Sequence, residues 1–250
     1  MPDTLAQVLA LPGLGWLIAA AFLAGTVRGF SGFGTAMVYL PVAAQVISPL
    51  WAIVTLVVMD VFGPLPIVRR AARDANRGDL ARLLVATLCL LPLGLATLAA
   101  VSPDIYRYAL STVSLTLVAC LALGLRYQGA LRPPMVYAIG CAAGFLGGLV
   151  GVPGPPVILF YMASTLPVQV VRANVLLYLF LFDFLLLMVI GLRGELSLSP
   201  IVLGLILAVP NVLGNLLGAR LFDPARAGLY RAVAYAIVAA SALAGLPPWD

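Results

Sequence analysis

Apolar residues run along this chain in ten blocks: 8–27, 34–47, 50–70, 81–101, 105–125, 135–149, 155–166, 170–192, 199–219 and 227–246. Within each block the hydrophobic character is continuous rather than alternating, which predicts helices and argues against the strands of a membrane barrel. Blocks 34–47 and 155–166 are too short for an ordinary span at about 1.5 Å of rise per residue. They predict half-helices, or the return arms of hairpins that dip into the membrane.

Each short block follows a stretch broken by glycine. The first, Gly25 to Pro41, reads GTVRGFSGFGTAMVYLP; the second, Ala143 to Pro156, reads AGFLGGLVGVPGPP. Ala24/Ala143, Gly25/Gly144, Gly29/Gly148 and Gly32/Gly151 are identical at a constant offset of 119. Pro92 and Pro210 occupy corresponding places in the fourth blocks, and Tyr106-Arg107 and Tyr230-Arg231 open the fifth. The pattern predicts an all-α polytopic membrane protein of two five-segment repeats, 1–126 and 135–250, with a linker at 127–134. An odd number of crossings inverts the second repeat. Paired glycine-broken segments in inverted halves are the signature of a transporter whose site lies where the breaks meet.

Composition strengthens this reading. Hydrophobic residues make up 63%, charged residues 9%, and the mean hydropathy is +1.13, whereas a soluble domain carries roughly 25% charge. The lipid bilayer is thus an expected partner. The net charge of +5 is all arginine. Such a balance points to nucleic acid in a soluble protein; in short loops between membrane segments it sets topology instead, and no nucleic-acid partner is expected. Arg69, Arg70, Arg73, Arg77 and Arg82 form the densest block and predict a cytoplasmic face. Following ten segments from there puts Arg28, Arg126, Arg132, Arg172, Arg220, Arg226 and Arg231 on that side, leaving Arg107 and Arg193 opposite. Both termini then face away from the cytoplasm. A count of eight, with each glycine motif as one broken span, separates the arginines less well.

Cys89, Cys120 and Cys141 are widely spaced within apolar blocks and read as small hydrophobes rather than a disulfide or metal framework. Histidine is absent, which removes the commonest metal ligand and general base. No metal site, cofactor or catalytic residue is expected, and the N-terminal run lacks the features of a removable signal peptide.

Candidate chemistry sits at the breaks. Gly94, Gly140 and Gly204 read as packing glycines, whereas the density at Gly25–Gly34 and Gly144–Gly154 exceeds what packing requires. Pro155 and Pro156 suit the first turn of a helix, so one helix is expected to start there and another near Gly34. Helix N-termini offer unpaired N–H donors and a positive dipole end. Two of them, one per repeat, would cradle a small anion. The candidate substrate-binding residues are Arg28, Gly29, Ser31, Gly32, Phe33, Gly34 and Thr35 from the first motif, and Gly148, Gly151, Pro153 and Gly154 from the second. Arg172 and Asn174, at the start of the eighth block, complete the set. Arg28 also reads as a topology arginine at the cytoplasmic end of the first helix, and Arg172 reads first as an interfacial snorkelling arginine. Asp60 and Asp183 are the acidic residues inside long apolar blocks; as protonatable groups they are candidates for proton coupling, and as neutral, hydrogen-bonded carboxyls they would be structural. Asn211 and Asn215 share a helix face and suit helix–helix hydrogen bonding.

At RGFSGFGTAMVYLP, with its trailing Pro41, and at the copy GFLGGLVGVPGPP, the chain resembles the sulfite exporter TauE/SafE family of membrane permeases. The resemblance spans essentially the whole chain. It implies secondary transport of a small sulfur-containing anion, sulfite or an organosulfonate, across the bacterial inner membrane, with efflux as the family's direction. The chain differs from the family's usual poly-glycine first motif in carrying Arg28, Phe30, Ser31 and Phe33, and its second motif is proline-rich. Rival readings are an uncoupled anion channel, a carboxylate permease of the same architecture, an intramembrane enzyme and a structural membrane protein. A membrane serine protease would need the missing histidine, and neither Asp60 nor Asp183 lies in a GxGD-like sequence. A homo-oligomer stays open.

Overall fold

The computed structural model describes residues 2–124, 131–161, 164 and 166–247. In chain order its helices are α1 (Pro2–Leu9), α2 (Leu14–Ser31), α3 (Thr35–Val46), α4 (Pro49–Asp60), α5 (Leu65–Asp74), α6 (Arg77–Ala100), α7 (Pro103–Ala122), α8 (Pro133–Val150), α9 (Gly154–Tyr161), α10 (Val168–Leu192), α11 (Leu198–Leu221) and α12 (Ala227–Ala244). A single 3-10 turn, Pro224–Arg226, precedes α12. Among the described residues six helices, α2, α6, α7, α8, α10 and α11, are long and apolar enough to cross a membrane. The chain is a multi-pass helical membrane protein.

All ten predicted blocks contain helix, with two corrections. The first block is divided, because Leu11-Pro12-Gly13 interrupts it and Gly13 adopts a left-handed φ of 89°, so a short α1 precedes α2. The third block, 50–70, is two helices rather than one. Pro64 disfavours helical geometry at its predecessor, and the chain turns through Val61–Pro64 between α4 and α5. Asp60, expected inside a long segment, is therefore the last residue of α4. The eighth block has no counterpart of that turn: Phe184-Leu185-Leu186 follows Asp183 where Val61-Phe62-Gly63 follows Asp60, and α10 runs unbroken. Of the predicted linker, 127–130 lie outside the described residues, as does Arg126, while Pro133 and Pro134 open α8.

The chain forms two compact units, each built from both sequence halves. The first comprises Met1–Gly63, Ser102–Val118 and Ser197–Asp250. Its main contact is α2 against α11. Lipid offers no hydrophobic drive for helices to associate, so small residues that let backbones touch decide where they do. A Cβ at Gly25 would strike the carbonyl of Asn211, one at Gly29 the carbonyl of Asn215, and ones at Gly214 and Gly218 the carbonyls of Phe22 and Thr26. α4 lies against α11 through Gly204, where a Cβ would come within 2.7 Å of Val58. Tyr39 of α3 and Thr55 of α4 share a buried hydrogen bond of 2.9 Å. α7 is tied in by Arg107, which donates to the Ala44 carbonyl at 2.9 and 3.2 Å, and by Ser111, which donates to that of Ala242 at 2.7 Å.

The second unit comprises Pro64–Val101 and Ala119–Leu196. Its main contact is α6 against α8, again through glycine. Cβ atoms at Gly140, Gly144 and Gly148 would approach the carbonyls of Leu83, Thr87 and Leu91 to between 2.5 and 2.6 Å. Thr87 donates to the Gly140 carbonyl at 3.1 Å and pairs with the Tyr178 hydroxyl at 2.8 Å. α5 rests on α10, with Ala71 and Val68 packed against Ala173, Leu176 and Leu177. In both units the helix that carries one half's glycine motif thus packs on the fourth-block helix of the other half.

Candidate functional site

In the first unit α2 ends and α3 begins within four residues. Gly32 takes φ 80° and its N–H closes the last turn on the Arg28 carbonyl at 2.7 Å; Gly34 takes φ 101° and precedes Thr35, the first residue of α3. Both conformations are open to glycine and strained for other residues. Ser31 secures the break: its hydroxyl lies 2.6 Å from the Val27 carbonyl and accepts from the Phe33 N–H at 3.3 Å. The first amides of α3 have no preceding turn to bond to, which leaves donors at the break.

Arg28 occupies the last turn of α2, where the helix dipole favours a cation. Its guanidinium forms an ion pair with Asp60 and its Nη1 lies 3.5 Å from the Thr35 hydroxyl. The two charged side chains keep only 17% and 21% of their surface exposed, so solvent screens them less than a surface pair. Asp60 ends α4, where the dipole opposes a carboxylate, and Arg28 offsets that penalty. A Cβ at Gly63 would lie 3.4 Å from the Asn215 amide nitrogen and 3.8 Å from the guanidinium carbon of Arg28. Arg28, Thr35, Asp60 and Asn215 therefore form one polar cluster beside a helix start. Thr35 is buried, and the Phe33 ring meets Tyr235 of α12 tilted at 46°, centroids 6.2 Å apart.

The second unit holds the other break. α8 ends at Gly151, φ 73°, and α9 starts at Gly154 with Pro155 and Pro156 in its first turn, as the sequence predicts. Gly151, Val152, Pro153 and Gly154 are all buried. Apolar groups line this break: Pro153 packs by Gly147, and a Cβ at Gly154 would meet Ile158 and Leu179 at 3.3 and 3.9 Å.

A family model for the sulfite exporter TauE/SafE proteins matches residues 17–245. The chain belongs to the sulfite exporter TauE/SafE family. TauE/SafE proteins are membrane transporters, and the match takes in both breaks, five of the six long apolar helices whole and the sixth, α2, from residue 17 onward. No curated protein and no solved structure matches the chain significantly.

Within this TauE/SafE protein the glycines of each motif divide their work. Gly25, Gly29, Gly144 and Gly148 sit where two helix backbones touch; Gly32, Gly34 and Gly151 make the breaks. Gly29 and Gly148, predicted to bind substrate, thus have a packing reason to be glycine. Arg28, Ser31, Gly32, Phe33, Gly34 and Thr35 are brought together. Arg172 and Asn174 do not join Gly154. Arg172 is exposed on α10, and Asn174 lies by Tyr161, the far end of α9, about 10 Å of helix from Gly154. Asn174 accepts from the Asn76 backbone N–H at 2.8 Å instead. Asp183 is half-buried within α10.

Asp79 is the residue that sequence reasoning missed. It is buried at the start of α6, bonded by Arg82 at 2.9 Å and by the Asn76 amide at 3.2 Å. The signal was present as Asn76-x-x-Asp79, a helix-capping pattern, inside a stretch dominated by topology arginines.

Proposed function

We propose that this chain is a secondary transporter, working as an exporter, of a small sulfur-containing anion such as sulfite or an organosulfonate across the bacterial inner membrane. The reading rests on one observation above the family match: a guanidinium held against an anionic oxygen beside the start of α3. Arg28 supplies the charge, the Thr35 hydroxyl a further donor, and the leading amides of α3 the rest of an oxyanion's coordination. Matching glycine breaks in the two halves support inverted repeats, with alternating access through movement of one repeat against the other. Asp60 and Asp183 are the groups proposed to carry protons.

The test is flux in vesicles reconstituted with wild type and Arg28→Ala, offered sulfite, thiosulfate, sulfate and sulfoacetate. Loss of one charged hydrogen bond costs about 1.5–3 kcal/mol, so saturable sulfite flux is expected to fall roughly 10- to 100-fold. Equal flux in both proteins removes Arg28 from the site. Linear, uncoupled conductance in place of pH-driven accumulation points to a channel.

A further inference from the structure

We infer that Asp60 is a tethered counter-anion: the transported anion displaces it from Arg28, and a proton on Asp60 frees the guanidinium. This rests on the Arg28 site proposed above.

The ion pair engages Arg28 on the side of the break, where Nη1 also nears Thr35. An incoming anion drawn to that guanidinium meets the Asp60 carboxylate already there. Two anions against one partly buried cation repel each other, so the ligand and ionised Asp60 compete. Asp60 ends α4, where the helix dipole opposes a carboxylate, and Arg28 is the cation set against it. Once the ligand takes the guanidinium, that support is gone and the protonated carboxyl is favoured. The charges balance in one exchange: the Arg28–Asp60 pair plus an anion and a proton becomes an Arg28–anion pair plus neutral Asp60. Water supplies the proton on the side from which the anion enters.

The neighbours leave this carboxyl as the group that responds. α2 sets Arg28 against it; α3 contributes neutral Thr35, while Tyr39 of the same helix turns to Thr55; α11 contributes neutral Asn215. Position matters as well. Asp60 is the last residue of α4, at the Val61–Pro64 turn, whereas Asp183 lies within unbroken α10.

The experiment measures methanesulfonate binding to the full-length protein in detergent, by calorimetry in two buffers of different ionisation heat, from acid to neutral pH. This anion does not titrate there. Wild type is expected to take up about one proton per anion and to lose affinity as pH rises, by up to about tenfold per pH unit. Asp60→Asn is expected to bind at least roughly tenfold tighter, with no proton uptake and no pH slope. Asp60→Glu is expected to keep the slope. Binding without proton uptake in wild type, or an Asp60→Asn protein that binds no tighter, overturns the exchange while leaving the Arg28 site in place. Arg28→Gln binding as well as wild type, or no binding by wild type at all, overturns the site reading itself and this inference with it.

Discussion

Asn174 of α10 accepts a 2.8 Å hydrogen bond from the backbone N–H of Asn76, the residue that caps α6. In an ordinary capping box the acidic residue at the third helical position takes that N–H. Here Asp79 bonds the Asn76 side chain and Arg82, and Asn174 reaches across to serve the backbone. Asn174 is fully buried while Asn76 is exposed, so loss of the Asn174 side chain removes a hydrogen bond and leaves the Asn76 N–H to water. Asn174→Ala is expected to cost about 0.5–1.5 kcal/mol and to lower the thermal unfolding midpoint in detergent, with transport per folded molecule retained. A variant with an unchanged midpoint and lost transport would place Asn174 in the binding site instead.

The division among glycines makes a sharper pair of expectations. Gly29→Ala pushes a methyl into the α11 backbone and is expected to destabilise the first unit by about 1–3 kcal/mol or more. At Gly32 a Cβ meets nothing within 4 Å, and only the left-handed backbone restricts the choice. Asparagine reaches that conformation at a smaller cost than other side chains, so Gly32→Asn is expected to fold with better yield than Gly29→Ala. Fluorescence-detected size exclusion of both variants checks this: a Gly29→Ala profile as good as that of Gly32→Asn contradicts the assignment.

Thr35 offers a third. Its hydroxyl is 3.5 Å from Arg28 Nη1, near enough to share an anion with the guanidinium. Thr35→Val removes the hydroxyl at constant shape and is expected to weaken sulfite binding about 2- to 10-fold, the loss of a neutral hydrogen bond of about 0.5–1.5 kcal/mol. Thr35→Ser is expected to restore it. Titration of the three proteins with sulfite decides, and equal affinities would exclude the hydroxyl.

Much of this architecture is legible along the chain because a bilayer imposes its own ruler. The ten apolar blocks, the two short ones among them, and the helix starts at Thr35 and Gly154 all follow from hydropathy, glycine and proline. The turn at Val61–Pro64 was written in Gly63-Pro64, yet the surrounding apolar residues outweighed it. Partnership was not legible. Nothing in a linear pattern says that α2 seeks α11 and α8 seeks α6, since the small residues that permit close approach are the same ones that permit a break. Gly29 and Gly32 look alike in sequence; only the backbone separates contact from positive φ. Arg28 and Asp60 were each recognisable as charges in an apolar setting, but their pairing depends on the break that makes Asp60 a helix end.

Soaking or co-purifying the protein with selenite, the heavier analogue of sulfite, and locating selenium by anomalous scattering tests the central claim most directly. A selenium peak within hydrogen-bonding reach of the Arg28 guanidinium and the first residues of α3, with Asp60 withdrawn, is the predicted result. Selenium bound elsewhere, with the Arg28–Asp60 pair intact, would contradict it.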